Sequence, residues 1–185
     1  GQSRNTLISL LVLFSGVLPS FLATQMAMEN ANFEGTIRAN TGAPVKINNY
    51  GDRLEPSFLD EELVVITGLE NAVGLTYGYG SRASDTIAFR NAPINIIGVD
   101  GDLGGVLFAD LIEFTAGNVT ALQTITLNEN AVVISDGLAE QLSLTLGDTL
   151  HLRGEGIDHH MPMQIVGIAA RLPGFGDIKR GRNLA

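Results

Sequence analysis

The chain has 185 residues, of which 45% are hydrophobic and 17% are charged, a size and composition that suit one ordinary domain or two small lobes with a shared core. It contains no cysteine, which excludes a disulfide framework, a thiolate zinc site and a cysteine nucleophile. The 20 acidic and 11 basic residues give a formal net charge of −9. Such an acidic surface repels phosphate backbones, so no nucleic-acid partner is expected.

The basic residues are unevenly distributed along the chain. Between Leu54 and Ala170 the only cationic side chains are Arg82, Arg90 and Arg153. Other basic residues flank this region, namely Arg38, Lys46 and Arg53 before it and Arg171, Lys179, Arg180 and Arg182 after it. Two interpretations stay open: scattered charge that keeps the protein soluble, or two ends of a domain that both approach an anionic lipid surface.

The first long segment, Leu7–Met28, carries no charged residue. As a helix, about 22 residues span roughly 33 Å, enough to cross the hydrocarbon core of a bilayer. Arg4 precedes the segment and Glu29 follows it, so the positive-inside rule places the N-terminus in the cytoplasm and the rest of the chain outside. A transmembrane helix is the favoured interpretation. A cleaved signal peptide and a buried core helix are the alternatives.

The next elements in chain order are predicted from hydrophobic period and turn signals. Asn30–Gly42 reads as a polar connector, and Val45–Tyr50 as a first strand. A helix is predicted from Ser57, the N-cap, to Gly68. Further strands are predicted at Ala72–Tyr79, Thr86–Phe89, Ile94–Val99 and Leu122–Leu127, with a turn at Gly78–Ser81, a loop at Gly101–Gly105 and a mixed segment at Leu107–Phe114. The strand Ile94–Val99 is apolar on both faces, which predicts a central position.

The last third of the chain gives the clearest pattern. A strand is predicted at Asn130–Ile134, and Ser135 or Asp136 caps a helix that runs to Leu144. Leu138, Ala139 and Leu142 form the apolar face of this helix. It is followed by a turn at Gly147-Asp148 and a strand with Leu150 and Leu152. A polar hairpin tip at Gly154–Met161 then leads to a buried strand at Met163–Ala169. The fold class is therefore α+β: a mixed sheet with two short packed helices and a β-rich lobe, preceded by an apolar N-terminal helix.

The stretch Ala131–Gly174 resembles the C-terminal part of the periplasmic core domain of MacB/FtsX-type ABC transporter permeases. The similarity lies in the order of strand, serine, short helix, Leu-Gly-Asp-Thr-Leu turn, strand, variable tip and Val-Gly-Ile strand. The matching residues are Val133, Ile134, Ser135, Leu138, Ala139, Leu142, Leu146, Gly147, Asp148, Thr149, Leu150, Val166, Gly167 and Ile168. Looser matches are Glu61–Val73, Ile97–Asp100 and the segment Leu7–Met28, which would correspond to the membrane helix that precedes the domain.

The residues that define this motif are architectural: Ser135, Ala139, Gly147, Asp148 and Gly167. Gly147 allows a positive φ, and Asp148 can hydrogen-bond within its own turn. Gly167 in an apolar strand indicates a bulge or a close approach. No catalytic, cofactor-binding or metal-binding residue is assigned, and no cofactor is expected.

Several other residue patterns resemble parts of known sites, and none of them is sufficient for one. No phosphate-binding loop is present, so the chain is not expected to bind ATP. His151 with Asp158, His159 and His160 could ligate a metal, but adjacent histidines on a strand point apart. Asp100-Gly101-Asp102 is too short for a calcium loop. Asp60–Glu62 reads as an acidic helix start, and Asn118–Thr120 is a glycosylation acceptor only in a host that glycosylates.

The resemblance implies three regions and a function. The regions are 1–29, a transmembrane or membrane-proximal helix; 30–178, an extracytoplasmic α+β domain; and 179–185, a basic connector to the next membrane helix. The implied function is a non-catalytic permease domain at the cell membrane that relays ATP-driven motion. Its implied partners are a cytoplasmic ABC ATPase, a second permease copy, and an extracytoplasmic protein or a lipophilic or peptide substrate. The alternative is a free-standing anchored or secreted binding module.

Overall fold

The structure is a computed structural model that describes residues 2–48, 65–87, 89–153 and 160–175, with the side chains of the first helix described from Val17 onward. The chain divides into two compact units, Gly1–Arg38 and Ala39–Ala185. The first unit is almost entirely one helix. The second contains the sheet.

The first helix, α1, is Gln2–Thr41. It confirms the helical prediction for Leu7–Met28, but it also includes the segment from Asn30 that was predicted as a connector. That prediction was wrong because no residue before Gly42 stops the helix: polar side chains such as Thr36 bond inside it, with the hydroxyl donating to the Asn32 carbonyl at 2.7 Å. Gly42, with φ of 79°, is the first residue in a conformation that ends a helix.

Among the residues that the structure describes, no helix is long and apolar enough to cross a membrane. The described large apolar side chains of α1, from Val17 to Met28, are more than half exposed. Because the side chains before Val17 are outside the described part, the membrane assignment of Leu7–Met28 stays a prediction.

The described part of the second unit contains a mixed sheet. Its strands are β1 Gly74–Ser84, β2 Asn91–Asp100, β3 Glu113–Ala116, β4 Ala131–Ser135, β5 Thr149–Arg153 and β6 Met161–Arg171. The strand order is β2-β1-β5-β6-β3, and β4 also pairs with β6. The β4–β6 pair is parallel and the other pairs are antiparallel. The short helices are α2 Leu103–Val106, α3 Thr120–Leu127 and α4 Asp136–Leu142, with a 3₁₀ turn at Ala109–Leu111. The predicted α+β class is confirmed.

Strand β6 is the centre of this sheet. Gln164 is paired with Thr149 of β5 and with Ala131 of β4, and Ile168 is paired with both β3 and β4. Strands β5 and β3 therefore follow one another along one edge of β6, while β4 occupies the other edge. The prediction of a central strand at Ile94–Val99 was wrong in position, since β2 lies at the end of the strand order.

The core lies between the sheet and α4. Leu138 and Leu142 of α4 are buried, as predicted, against Ile134, Leu150 and Ile165 from three strands. Burying an aliphatic side chain of this kind contributes about 1.5–3 kcal/mol. This short helix is therefore held by tertiary packing more than by its own seven residues.

The β1–β2 hairpin differs from its prediction. Gly78–Ser81 is not a turn but part of β1, where the register shifts between Gly78 and Ser81, as in a β-bulge. The described residues Thr86 and Ile87, which lie in a segment predicted as a strand, form a turn instead. It is closed by Asp85, whose Oδ1 accepts hydrogen bonds from the Phe89 N–H at 2.8 Å and from the Arg90 N–H at 3.3 Å.

The predicted strand at Leu122–Leu127 is helix α3. Its hydroxyls bond to carbonyls four residues earlier, Thr124 to Thr120 at 3.0 Å and Thr126 to Leu122 at 3.3 Å. Buried Leu122 anchors the helix to the sheet. Apolar packing and these bonds override the strand preference of the β-branched residues.

Some predictions fall partly or wholly outside the described residues. Of the predicted strand Val45–Tyr50, the described part, residues 45–48, has no regular structure. Of the helix predicted from Ser57 to Gly68, residues 65–68 are described and form turns instead of a helix, so that end of the prediction was wrong. The rest of that helix, most of the tip Gly154–Met161 and the connector 179–185 lie outside the described residues. Met161 itself belongs to β6, and the loop predicted at Gly101–Gly105 contains the start of α2.

Candidate functional site

The motif that carries the family resemblance begins at the junction of β4 and α4. Ser135 is the N-cap of α4: its Oγ accepts a hydrogen bond from the Leu138 N–H at 3.2 Å. Its side chain is buried, as is that of Ala139 one turn later. A capping serine pairs one of the N–H groups that a helix start leaves without a partner. These two residues therefore fix the entry of α4 and its close contact with the sheet.

The second part of the motif is the turn between α4 and β5. Gly147 has φ of 90°, and its N–H donates to the Ile165 carbonyl at 2.8 Å. The Asp148 carboxylate accepts hydrogen bonds from the N–H and the hydroxyl of Thr145, at 2.7 and 2.9 Å. The geometry is the one expected from the sequence, with a glycine in the left-handed region and an aspartate that holds its own turn.

Gly167 marks the place where α3 and β3 pack against β6. A Cβ at this position would lie 2.9 Å from the Ala121 Cβ and 2.9 Å from the Phe114 Cε1. The register between β4 and β6 also shifts next to it. The sequence predicted a bulge or a close approach, and both are present.

The two ends of the described domain meet at a pair of glycines. Gly174, after β6, donates its N–H to the Ala39 carbonyl at 2.7 Å. Gly42 and Gly174 both have positive φ, and a Cβ on Gly42 would lie 2.5 Å from the Pro173 carbonyl oxygen. Lys46 adds a bond from Nζ to the Gly174 carbonyl at 2.8 Å. We call this contact the end junction.

Sequence reasoning missed the end junction because its partners are more than one hundred residues apart. The only signals were local. Gly42 follows a helix and Gly174 follows Pro173, and each predicts a chain turn without indicating the other as its neighbour.

An apolar cavity of about 500 Å³ is the second feature that the sequence did not predict. It is lined by four successive residues of β2, Ile96–Val99, and by all five residues of β4, Ala131–Ser135. Leu122, Ile125, Leu152, Met161 and Met163 complete most of the apolar wall.

The lining of the cavity is mainly apolar, and two of its polar groups already make hydrogen bonds within the fold. Thr126 and Glu129 are among its polar residues. The Thr126 hydroxyl donates to the Gly101 carbonyl at 2.8 Å, and the Ser135 Oγ serves the N-cap of α4. The cavity can therefore hold an apolar group, and no pair of its described lining residues forms an acid–base arrangement.

Several other residues that could suggest a site in the sequence have structural partners. Asp102 caps α2 through a hydrogen bond from the Gly105 N–H at 3.3 Å, and Asn118 accepts one from the Thr120 N–H at 2.9 Å at the start of α3. His151 and His160 face each other with ring centroids 6.3 Å apart. Within the described residues no three metal-ligating side chains cluster, whereas Asp158, His159 and the Asp60–Glu62 run lie outside them.

Tyr77 on β1 is a titratable group whose protonation equilibrium is shifted by its surroundings. Partial burial, with 41% of the residue still exposed, and then electrostatic repulsion from Tyr79 raise the pKa of Tyr77 above its ordinary value. The two rings are stacked with centroids 6.5 Å apart.

No protein-family model matches the sequence, and no curated protein matches it. Two solved structures are similar in fold. One is the extracellular domain of the noncanonical ABC-type transporter YknZ from Gram-positive bacteria, with 17% identity over 66% of this chain and 56% of that chain and a TM-score of 0.45. The other is a domain of a protein named as a permease from Porphyromonas gingivalis, with 19% identity over 70% of this chain and 49% of that chain and a TM-score of 0.48. The chain thus spans about half the length of these structures.

Proposed function

We propose that the chain is the extracytoplasmic domain of an ABC transporter permease of the MacB/FtsX type. In this role it binds no nucleotide and catalyses no reaction. It relays a conformational change driven by a cytoplasmic ATPase to a substrate or to an extracytoplasmic partner.

The observation that carries the proposal is the end junction. A domain inserted between two membrane segments must return its chain to the place where it entered. Here the residues that enter the domain, Ala39–Gly42, contact the residues that leave β6, Pro173–Gly174, through a 2.7 Å backbone hydrogen bond and a close glycine contact. In the proposed role, a movement imposed on one end would pass through this contact to the other.

The motif residues support the same proposal. Ala131–Gly174, the stretch with the sharp resemblance, forms β4, α4, β5 and β6, and β6 is the strand that pairs with three others. Only Leu172 lies between the end of this central strand at Arg171 and the Pro173–Gly174 side of the end junction. Motion at the chain ends would thus reach the middle of the sheet.

The finer features of the proposal come from the sequence. Leu7–Met28 would be the membrane helix and residues 179–185 the route to the next one, with the domain between them outside the cell. The expected partners are a cytoplasmic ABC ATPase and a second permease copy, together with an extracytoplasmic protein or a lipophilic or peptide substrate.

A free-standing anchored or secreted binding module is the second candidate. The apolar cavity lined by residues of β2 and β4 favours it, because a cavity lined by unreactive groups suits binding of an apolar ligand. The two candidates differ in the polypeptide that they require beyond residue 185.

The test is to read the parent gene beyond residue 185 and to purify the full-length protein from its native membrane. We expect three further membrane helices and co-purification of an ABC ATPase. A reading frame that stops soon after residue 185, with no ATPase in the preparation, would favour the binding module and overturn the permease proposal.

A further inference from the structure

The apolar cavity has one charged group in its lining. Of the residues that line it within the described part of the chain, only Glu129 carries a charged side chain. Glu129 is exposed to solvent, whereas Val132 and Ile134, which line the cavity from β4, are buried. The carboxylate therefore lies where the cavity meets solvent, and the apolar wall lies further inside.

The backbone around Glu129 is fixed by hydrogen bonds. On one side, the Asn128 carbonyl accepts from the Ala131 N–H at 3.0 Å and closes the turn that contains Glu129. On the other side, the hydroxyl of Thr126, which also lines the cavity, donates to the Gly101 carbonyl at 2.8 Å and so joins the end of α3 to the loop after β2. The mouth of the cavity is therefore held in place on both sides of Glu129.

The Glu129 carboxylate has no partner within the part of the chain that the structure describes. It makes no hydrogen bond or ion pair there, and none of the other described lining residues is basic. The chain as a whole has a net charge of −9. The electrostatic potential at the mouth of the cavity should therefore attract a cation and repel an anion.

The interior of the cavity suits an aliphatic chain. Its volume of about 500 Å³ lies within the range of about 300–1,000 Å³ that is usual for small-molecule sites. Met161 and Met163 form part of the wall, and methionine side chains adapt to apolar groups of irregular shape. A polar group that entered would lose its water and find few partners in such a wall. The part of a ligand that lies inside must therefore be apolar.

We propose that the cavity binds a cationic amphiphile, with its aliphatic chain in the apolar interior and its ammonium or guanidinium head at the mouth, beside Glu129. An anionic amphiphile fits less well, because its head would lie against the carboxylate. The proposal deepens the proposed function by naming the chemical class of a lipophilic substrate, and it rests on that function for the ligand's role. The binding itself is a property of this domain and is measured without an ATPase.

The test uses the full chain in lipid nanodiscs, with its methionine methyl groups isotopically labelled and followed by NMR. The sequence has four methionines. Met161 and Met163 line the cavity, whereas Met26 and Met28 lie on α1. The first pair therefore reports binding in the cavity, and the second pair reports changes at the apolar N-terminal segment.

The probes are three amphiphiles with the same chain and different heads: octylamine, octanol and octanoate. We expect octylamine to shift the signals of Met161 and Met163 at the lowest concentration and octanoate to require the highest. The affinities for octylamine and octanol should differ by about two- to fivefold, the effect of one exposed ion pair.

Two variants change the two parts of the site separately. Glu129→Gln should lower the affinity for octylamine to that for octanol and leave octanol binding unaffected. Ile125→Trp enlarges a side chain of the wall and should weaken all three probes by about tenfold or more, because the space for the chain is filled. The matched control is Glu140→Gln, which removes the same charge from an exposed position on α4 outside the lining and should change nothing.

Three outcomes would overturn the proposal. If only the signals of Met26 and Met28 shift, the amphiphile enters the lipid and not the cavity. If octylamine and octanoate bind equally, the head is not recognised. If E140Q weakens octylamine as much as E129Q does, the effect comes from the overall charge and not from Glu129.

The amide spectrum of each variant checks that it is folded. Because E129Q changes an exposed residue in a turn, it keeps the test decisive even if I125W does not fold. A failure of all three probes to bind would overturn the cavity proposal and leave the permease proposal standing, since the latter is tested by the parent gene and the co-purified ATPase.

Discussion

Glycines with positive φ serve two different purposes in this chain. Gly147 has φ of 90° and open space where a Cβ would stand, whereas Gly174 has φ of 85° and a Cβ there would lie 2.8 Å from the Thr41 carbonyl oxygen. The first position needs glycine only for its backbone conformation. The second needs it for conformation and for space.

The alanine variants at these two positions should therefore differ in stability. Gly147→Ala should lower the free energy of unfolding by about 1 kcal/mol, and Gly147→Val by about 1–3 kcal/mol, from the strained backbone alone. Gly174→Ala carries the same strain and a steric clash in addition, so it should cost more. Urea denaturation of the three variants measures this. Equal values for the two alanine variants would show that the end junction does not form.

Tyr77 provides a prediction on pH at the same scale. Its pKa is raised by burial and by Tyr79, so the folded state favours the neutral phenol. The resulting stabilisation is present below the ordinary tyrosine pKa of about 10 and is lost as the pH rises through the higher folded value. In absorbance titrations Tyr77→Phe should remove a late step of tyrosinate formation. Tyr79→Phe should shift the titration of Tyr77 to lower pH, and the absence of a shift would contradict the contribution of Tyr79 while leaving that of burial.

At the scale of elements, helix α4 depends on its N-cap. Ser135→Ala removes the hydrogen bond to the Leu138 N–H and should cost about 1 kcal/mol, since alanine cannot cap. Ser135→Gly is the matched control, because glycine at an N-cap costs only a few tenths of a kcal/mol. Thermal unfolding of both variants tests this. A glycine variant as unstable as the alanine variant would mean that the hydroxyl is not the cause.

The packing of α3 on β6 can be tested by rescue. Gly167→Ala places a Cβ 2.9 Å from the Ala121 Cβ, and overpacking of this kind costs about 1–3 kcal/mol. Ala121→Gly alone costs about 1 kcal/mol as a helix glycine, but in the double variant it removes one partner of the clash. The double variant should therefore be more stable than the sum of the single effects predicts. Additive effects in a denaturation cycle would place the strain of Gly167→Ala elsewhere, at Phe114.

At the scale of the whole molecule, the two compact units should separate by truncation. A chain that begins at Asn30 keeps the entire sheet unit from Ala39 and should be folded, soluble and monomeric. The full chain should associate through its apolar N-terminal segment or need detergent. Sedimentation of the two proteins side by side measures this.

A chain that begins at Val45 is the control for this truncation. It lacks the Ala39 carbonyl that binds Gly174 and the Gly42 carbonyl that accepts from the Phe108 N–H at 2.9 Å. Its unfolding midpoint should lie below that of the chain beginning at Asn30. If the longer truncated chain unfolds while the full chain is a dispersed monomer, Leu7–Met28 is a core helix and the membrane assignment fails.

The sequence by itself determined the last quarter of the fold and the residues of its motif. Ser135 as a cap, Gly147 with positive φ and the buried face of α4 follow from local rules, because capping, turn conformation and helical period involve residues only a few positions apart. The same local rules indicated the α+β class, and they supported the long apolar helix.

Only the tertiary structure decided the features that join distant residues. Packing and hydroxyl bonding made α3 a helix where β-branched residues predicted a strand, and pairing on both edges made β6 the central strand in place of β2. The end junction, the cavity between β2 and β4 and the pairing of Arg82 with Arg153 each depend on the register of strands far apart in the chain. No local pattern encodes such a register, because it is set by the sum of contacts across the whole sheet.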